Sequence, residues 1–302
     1  MPDFKKIAVV GIGLIGASLA AALKKSDPEL EITAVDKCAE SIKKAENLNI
    51  IDHGYTEIAG NLREVDLIFI AVPVKLIPQI INKIKNNNSR QQVIVDAGST
   101  KKEIMLAAEE ILKGSNKLFI GGHPMAGSHK SGIDWHDPEL FQSAPFILTP
   151  YVEPQNKGEE VDFNSKLEPE KKEAINNLKN LIKNIGAKSY IISAAEHDQC
   201  TAYLSHLPHL LSSALVNLSQ KKEFTNDFLN LSGSGYRDMT RIAGSSAELW
   251  QDIILSNREN LVELLKKYIS ELEALKNDLE ADDEKKIYNF LAKAAEIKNN
   301  SD

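Results

Sequence analysis

The sequence predicts an α/β domain built on a parallel sheet, followed by an all-α domain. Three observations lead to this fold class. Short apolar runs rich in β-branched residues alternate with helical patterns through the first half of the 302 residues, which is typical of βαβ units. A glycine-rich turn joins the first predicted strand to the first predicted helix. From Ser193 onward the apolar residues follow only helical spacing.

The individual elements follow from the same patterns. The predicted strands are Lys6–Gly11, Glu31–Asp36, Asp66–Val72, Gln92–Asp96, Lys117–Gly121, Pro145–Thr149 and Lys188–Ile192. The predicted helices are Leu14–Lys25, Ala39–Asn47, Val74–Lys85, Lys101–Leu112, Glu170–Ile185, Ala194–Ser219, Ala247–Leu279 and Glu284–Lys298. The polar stretch Tyr151–Glu168 is predicted to be an exposed loop. Because a helix and a strand follow this loop, we expect the first domain to span residues 1–192 and the helical domain residues 193–302.

Composition excludes several classes of protein. The chain is 42% hydrophobic and 26% charged, which is typical of a folded protein and not of a disordered one. Its net charge of −7 argues against nucleic acid as a partner. The uncharged stretch Ile7–Leu23 is shorter than the roughly 20 residues of a membrane span, so no membrane contact is expected. Cys38 and Cys200 have no disulfide or metal-site spacing, which favours a reducing, cytoplasmic setting and no metal.

The glycine-rich turn has the sequence Gly11-Ile-Gly13-Leu-Ile-Gly16. Gly11 permits a tight turn, Gly13 lets a pyrophosphate approach the backbone, and Gly16 lets the helix pack close to the strand. Asp36 ends the next predicted strand, where it can bond the ribose hydroxyls and disfavour a 2′-phosphate. The domain is therefore predicted to be of the Rossmann type and to bind NAD in preference to NADP. The same turn adds two predicted cofactor-binding residues, Leu14 and Ile15.

Two other strand ends are predicted to border the cofactor. Val72 and Pro73 close one strand, and Ser99 follows another. Ligands of open parallel sheets lie at the carboxyl ends of the strands, so these residues should line the crevice. Ser99 has an alternative role as the N-cap of the following helix, with Glu103 near the reciprocal capping position.

His123 follows a further predicted strand, in a loop stiffened by Pro124 and flanked by Gly122 and Gly127. An imidazole with an ordinary pKa near 6.5 is neutral at physiological pH and can accept a proton. His123 is therefore the candidate general base. The alternative is a loop histidine that only satisfies backbone groups.

A polar stripe opens the helical domain. His197-Asp198, Thr201, Ser205 and His209 recur at intervals of four residues, which places them near one face of a helix. Buried polar groups need partners or a ligand, so this face is a candidate substrate surface.

Three other residues belong to the same region. Pro208 should kink the helix, because it removes a backbone N–H. His206 falls outside the four-residue spacing that includes His209 and is interpreted as a structural histidine. The histidines do not have the spacing of a closed zinc site.

Arg237 and Arg241 are also four residues apart. They would share a face of a helix, and a guanidinium suits a carboxylate.

Together these motifs resemble one enzyme family. In order along the chain they are GIGLIGAS, AVPV, DAGSTK, HPMAGS, EHD, SHLPH and GYRDMTRIA with ELWQDI. The chain is similar to the prephenate/arogenate dehydrogenases of tyrosine biosynthesis from about Lys5 to Asn260. The resemblance implies a Rossmann-type domain, an all-α domain that forms a homodimer, and an active site between the two domains.

The resemblance also implies roles for individual residues. His123 would take the proton from the C4 hydroxyl of prephenate as hydride leaves C4 for NAD. Loss of the ring carboxylate as carbon dioxide then gives 4-hydroxyphenylpyruvate. Ser99 would orient the hydroxyl, and Arg241 would bind a substrate carboxylate with His209 nearby. Asp198 and Arg237 would pair as an entry gate.

The choice of substrate depends on fewer residues. Three others are expected to contact substrate: Ser128, His129 and Ser205. Many family members carry an acidic residue where this chain has His129, and a histidine there favours prephenate over arogenate, whose ammonium group it would repel. About forty residues follow Asn260, so any inhibition by tyrosine is expected at the active site. The alternatives are arogenate dehydrogenase, a 3-hydroxyacid dehydrogenase-like enzyme and a non-catalytic NAD-binding regulator.

Overall fold

A computed structural model describes residues 4–86, 91–128, 130–152, 166–219 and 228–300. The chain divides into two compact units, Met1–Asn257 and Arg258–Asp302. The first unit contains the whole sheet and the helices that follow it as far as Asn257. The second unit is helical.

The first unit is built on one eight-stranded sheet. The strands are β1 (Lys6–Val10), β2 (Glu31–Val35), β3 (His53–Tyr55), β4 (Leu67–Ile70), β5 (Gln92–Asp96), β6 (Lys117–Pro124), β7 (Pro145–Pro150) and β8 (Lys188–Ile191). Their order is β3-β2-β1-β4-β5-β6-β7-β8, and every pair is parallel except β6 with β7. The strand order reverses between β1 and β4, and ligands bind at the carboxyl ends of the strands at such a point.

Helices cover both faces of this sheet. They are α1 (Leu14–Ser26), α2 (Ala39–Asn47), α3 (Ile77–Lys85), α4 (Lys102–Leu112) and α5 (Pro169–Asn184). Successive strand residues point to opposite faces, so Ile7 and Val9 of β1 enter one apolar core and Ala8 and Val10 enter the other. Burial on both faces explains why these strands consist of continuous apolar runs. The predicted α/β fold class is confirmed.

The helices after the sheet are shorter than predicted. Instead of one helix over Ala194–Ser219, the structure has α6 (Ala194–Thr201), a π-helical turn (Ala202–His206) and α7 (Leu207–Ser219). The π-helical turn ends two residues before Pro208, where the missing backbone N–H was predicted to disturb the helix. Two more helices complete the first unit, α8 (Ser234–Thr240) and α9 (Ala247–Ser256).

The second unit is a pair of helices, α10 (Arg258–Glu280) and α11 (Glu284–Asn299). Asp283 caps α11 by accepting the backbone N–H of Lys286, and Asp282 takes a left-handed conformation with φ of 55° in the turn. The helix predicted over Ala247–Leu279 is therefore divided into two helices, the first ending at Ser256 and the second beginning at Arg258. Among the described residues, no helix is both long and apolar enough to span a membrane.

Other boundaries also differ from the prediction. The three-residue edge strand β3 was not predicted, because His53-Gly-Tyr55 lacks an apolar run. Strand β6 continues to Pro124, since β7 pairs with it there and His123 faces Ile147 in the register. His123 thus lies on a strand and not in a loop. Most of the predicted loop at Tyr151–Glu168 falls on residues 153–165, outside the described part of the chain.

Candidate active site

The turn between β1 and α1 has the geometry of a nucleotide-binding turn. Gly11 has a φ of 97°, which favours glycine, and a Cβ there would collide with the carbonyl oxygen of Ala71. A Cβ on Gly16 would collide with the carbonyl oxygen of Gly11. A Cβ on Gly13 would meet nothing within 4 Å. Gly11 and Gly16 thus allow the close packing of the turn, whereas Gly13 leaves open space above it.

The surroundings of this turn fit NAD. Gly13 is the N-cap of α1 and provides no side chain to the first N–H groups, so these can bind a phosphate. Asp36 directly follows β2 beside the turn, and its carboxylate accepts the backbone N–H groups of Ile12 (2.7 Å) and Cys38 (2.8 Å). Val72 flanks Gly11, and Pro73 follows it. Asp36 therefore also holds the turn in place, a role that the sequence did not predict.

A cavity of about 540 Å³ adjoins the start of α1. Seven residues predicted for the site line it: Leu14, Ile15, Ser99, His123, Ser128, Ser205 and Arg241. Lys130 and Arg241 both line the cavity and carry fixed positive charges, and no Asp or Glu is among the described lining residues. The ring of Trp250 and side chains such as Ile242 and Leu249 form apolar walls. The cavity suits a small apolar ring that carries negative charge.

His123 enters the cavity from the end of β6. Its Nδ1 lies 2.8 Å from Nε2 of His197, which is fully buried on α6. Desolvation lowers the pKa of His123 well below 6.5, and electrostatic interactions with His197, Lys101 and His206 lower it further. His123 is therefore neutral at pH 7, as a general base must be.

A buried polar network surrounds His123. Asp198 accepts the ring N–H of His197 at 2.8 Å and the backbone N–H groups of Lys101 (2.7 Å) and Lys102 (2.9 Å). The Lys101 ammonium is buried in an ion pair with Asp96. The sequence placed His197 only in the polar stripe, without a role of its own, and indicated no role for Lys101. The signal was available, because Lys101 stands just before a helix that follows a buried strand, and His197 and Asp198 are adjacent near the start of another helix, where charged side chains are rarely buried without partners.

Two sequence predictions need correction here. Asp198 does not form a gate with Arg237, because its buried carboxylate is bound to α6 and the start of α4, while Arg237 is exposed and donates to the Ser232 carbonyl at 3.0 Å. Ser99 is not an N-cap, since α4 begins at Lys102 with Lys101 at the cap position. Of the two roles considered for Ser99, the structure agrees with a position in the cavity wall.

His206 and His209, on either side of Pro208, differ from the prediction, because His206 lines the cavity and His209 does not. His206, interpreted as structural, lines the cavity and contacts Asn257 at 3.0 Å, and burial lowers its pKa to about 4. His209 stacks on Trp250, with ring centroids 3.5 Å apart and planes 7° apart. The cavity wall at this point is therefore Trp250, with His209 behind it. The π-helical turn causes this difference, because it shifts the face that each residue presents.

His129 lies outside the described residues. Within the described part of the chain, no group of three or more His, Cys, Asp and Glu side chains is arranged to hold a metal ion.

Two family models match the chain. Residues 19–163 match "Prephenate dehydrogenase, nucleotide-binding domain", and residues 193–293 match "Prephenate dehydrogenase, dimerization domain".

Individual proteins give the same result. Prephenate dehydrogenase of Lactococcus lactis is 34% identical over 97% of this chain and 77% of its own length. Prephenate dehydrogenase of Bacillus subtilis is 32% identical over 97% of this chain and 75% of its own length. The crystal structure of Aquifex aeolicus prephenate dehydrogenase with hydroxyphenyl propionate and NAD+ has a TM-score of 0.85 and 29% identity, and covers 99% of this chain and 98% of that one.

Proposed function

This chain belongs to the prephenate dehydrogenase family, and we propose which of its residues bind the cofactor, bind the substrate and carry out the reaction. It is an NAD-dependent oxidoreductase of tyrosine biosynthesis, which oxidises and decarboxylates prephenate. Membership of this family decides against the 3-hydroxyacid dehydrogenase and the non-catalytic regulator. The roles of individual residues, argued next, are our proposal.

One observation supports these roles most strongly. A single cavity joins the start of α1, a neutral histidine and two fixed positive charges. NAD, held by the turn at Gly11, Gly13 and Gly16, supplies the hydride acceptor. Asp36 binds its adenosine ribose and disfavours a 2′-phosphate. Leu14 and Ile15 border both the cofactor and the substrate, while Val72 and Pro73 flank the cofactor turn.

His123 is the general base in this proposal. Its free ring nitrogen takes the proton of the C4 hydroxyl while the C4 hydrogen leaves as hydride. The ring C1–carboxylate bond then breaks, carbon dioxide departs, and its electron pair makes the ring aromatic. The proton returns from His123 to the same oxygen, which becomes the phenol of 4-hydroxyphenylpyruvate. Ser99, on the wall of the same cavity, orients the hydroxyl.

Charge and shape position the substrate. Arg241 binds one carboxylate of the dianion, and Lys130 adds a second positive charge. Ser128 and Ser205 offer hydroxyl groups, and Trp250 packs on the ring with His209 holding it from behind. The absence of acidic side chains among the described lining residues supports prephenate over arogenate, because an ammonium group would find no counter-charge there. His129 is proposed to reinforce this preference.

The helices of the second unit bear on the assembly of the protein. We propose a homodimer, supported by exposed apolar side chains on both helices of the second unit, among them Ile269, Leu272, Tyr288 and Leu291. The functional division is proposed at residues 192 and 193, where the sheet has ended and only helices follow among the described residues.

Tyrosine, which resembles the product, would compete with prephenate for the same cavity. A cytoplasmic location stays a prediction.

Four parallel assays test this function. Prephenate and arogenate are each offered with NAD and with NADP, and the reduced cofactor is followed by absorbance. We expect the highest kcat/KM with prephenate and NAD. A higher value with arogenate would overturn the substrate assignment, and a higher value with NADP would overturn the role of Asp36.

A further inference from the structure

Three side chains form a hydrogen-bonded chain that leads from the cavity into the protein. His123 Nδ1 lies 2.8 Å from His197 Nε2, and His197 Nδ1 lies 2.8 Å from Asp198 Oδ1. His123 lines the cavity, whereas His197 and Asp198 are 0% and 1% exposed. Neither His197 nor Asp198 has a part in the function proposed above.

Asp198 is held as a hydrogen-bond acceptor. Its Oδ1 accepts the backbone N–H of Lys101 at 2.7 Å, and its Oδ2 accepts that of Lys102 at 2.9 Å. Its own carbonyl oxygen accepts the side-chain amide of Asn257 at 2.7 Å. An ionised carboxylate only accepts, so the group facing it on His197 must donate.

The acceptor role of Asp198 determines which atom donates in each hydrogen bond of this chain. His197 donates from Nδ1, and a neutral imidazole carries one ring proton, so its Nε2 has a free electron pair. His123 must then donate from Nδ1 to His197. Its own proton is therefore on Nδ1, and its Nε2 keeps the free electron pair that a base needs.

We propose that His197 is a positioning residue that, oriented by Asp198, fixes His123 in the Nδ1–H tautomer with Nε2 free to accept the substrate proton. The proposal rests on the proposed role of His123 as the base. During the reaction the O–H bond of the substrate breaks and an N–H bond forms at Nε2, while the Nδ1 proton stays in its hydrogen bond to His197. A neutral histidine without such a partner prefers the opposite tautomer, in which Nε2 is blocked.

Two substitutions separate the two hydrogen bonds of His197. His197→Asn keeps a donor at the position of Nδ1, facing Asp198, and loses the acceptor facing His123. His197→Gln places an amide oxygen at the reach of Nε2 and keeps that acceptor. Thr201→Val is the matched control, because Thr201 is buried on the same helix, is not among the residues that line the cavity, and donates to the backbone carbonyls of His197 and Asp198.

The first measurement is ¹⁵N NMR of protein labelled at histidine, which distinguishes protonated from free ring nitrogens. The spectrum of His123→Asn identifies the signals of His123 by their loss. We expect wild type to show His123 with a protonated Nδ1 and a free Nε2. His197→Asn should shift His123 to the other tautomer, while His197→Gln and Thr201→Val should retain Nδ1–H.

The second measurement is steady-state kinetics with prephenate and NAD. We expect His197→Asn to lower kcat by about 10²-fold, because general-base catalysis contributes about 10²–10⁴-fold, with KM for prephenate changed little. His197→Gln should recover much of kcat, and Thr201→Val should resemble wild type.

The two measurements separate the failure of this inference from the failure of the proposed base. A free Nδ1 on His123 in wild type overturns the inference, whatever the kinetics show. Unchanged tautomer and kcat in His197→Asn also overturn it. If His197→Asn does not fold, the proposal is tested by the tautomer of His123 in the wild-type spectrum and by the tautomer and kcat of His197→Gln. If His123→Asn itself keeps full turnover, the base assignment fails, and the tautomer is still measured.

Discussion

His123 decides whether the cavity can catalyse proton transfer, because only a neutral imidazole accepts a proton. Surrounding protein desolvates the ring, and electrostatic interactions with His197, Lys101 and His206 disfavour a positive charge on it. Both effects oppose protonation, so the pKa of His123 lies well below 6.5. The base is thus available throughout the neutral pH range.

The first prediction concerns the pH dependence of kcat/KM for prephenate. Since the pKa of His123 is lowered, the neutral form persists as pH falls through 6.5, and activity should fall only at lower pH. Initial rates between pH 8 and pH 5 at saturating NAD, with the substrate concentration measured at each pH, test this. An acidic limb at or above pH 6.5 would contradict it.

The second prediction concerns Arg241, which is proposed to bind a substrate carboxylate. Arg241→Ala should raise KM for prephenate about 10- to 100-fold, because a hydrogen bond to a charged group contributes about 1.5–3 kcal/mol. The NAD affinity should stay near wild type. The matched control is Arg63→Ala, because Arg63 is exposed and is not among the residues that line the cavity. Equal effects of the two substitutions would remove Arg241 from the substrate site.

At the scale of elements, the β1–α1 turn assigns different tasks to its glycines. Gly11 and Gly16 pack against each other and against Ala71, so their lack of a side chain is required by the fold itself. Gly13 faces open space, which agrees with its proposed role beside the cofactor. Stability and cofactor binding should therefore be separable within one turn.

The third prediction uses this contrast. Gly13→Ala should weaken NAD binding about tenfold or more, and its melting temperature should stay within about 3 °C of wild type. Gly16→Ala should lower the melting temperature by about 3–10 °C, because overpacking costs about 1–3 kcal/mol. Calorimetric titration with NAD and thermal unfolding without it measure the two effects. A Gly13→Ala variant that binds NAD normally would contradict the assignment of the turn.

Local sequence signals predicted the elements with strong patterns. The apolar runs of the strands, the glycine turn and Asp36 follow from neighbouring residues, and the structure places them as expected. The π-helical turn does not, because it depends on how Pro208 and its neighbours pack in three dimensions. That turn is why the sequence misplaced His206 and His209. The bond from His197 to His123 spans 74 residues, and no local pattern encodes it.

At the scale of the whole molecule, an acidic protein binds a dianion. The net charge of −7 is spread over the chain, whereas the cavity combines Lys130 and Arg241 with no acidic side chain among its described lining residues. Local charge therefore decides the recognition of substrate, and net charge bears only on partners as large as nucleic acid.

The fourth prediction concerns stability and pH. The pKa of buried His206 is about 4 in the folded chain, below its ordinary value of 6.5, so the unfolded chain binds a proton first as pH falls. The free energy of unfolding should be greatest above pH 6.5 and fall towards pH 4, with His206 contributing on the order of 3 kcal/mol of the loss. His123 and His197, whose pKa values are also lowered, act in the same direction.

Urea unfolding at pH 7, 6 and 5 measures this loss. His206→Asn should make the decline in unfolding free energy shallower. His53→Asn is the control, because the His53 side chain is 54% exposed on the edge strand, and it should retain the wild-type decline. An unchanged decline in His206→Asn would contradict the prediction.

The most direct test of the mechanism is the turnover of His123→Asn with prephenate and NAD, followed by NADH absorbance at saturating concentrations of both. Asparagine keeps a polar side chain of similar size but cannot accept the proton as a base. We predict a kcat lower by about 10²–10⁴-fold, with the affinity for NAD close to that of wild type. A kcat within a few fold of wild type would show that His123 is not the base.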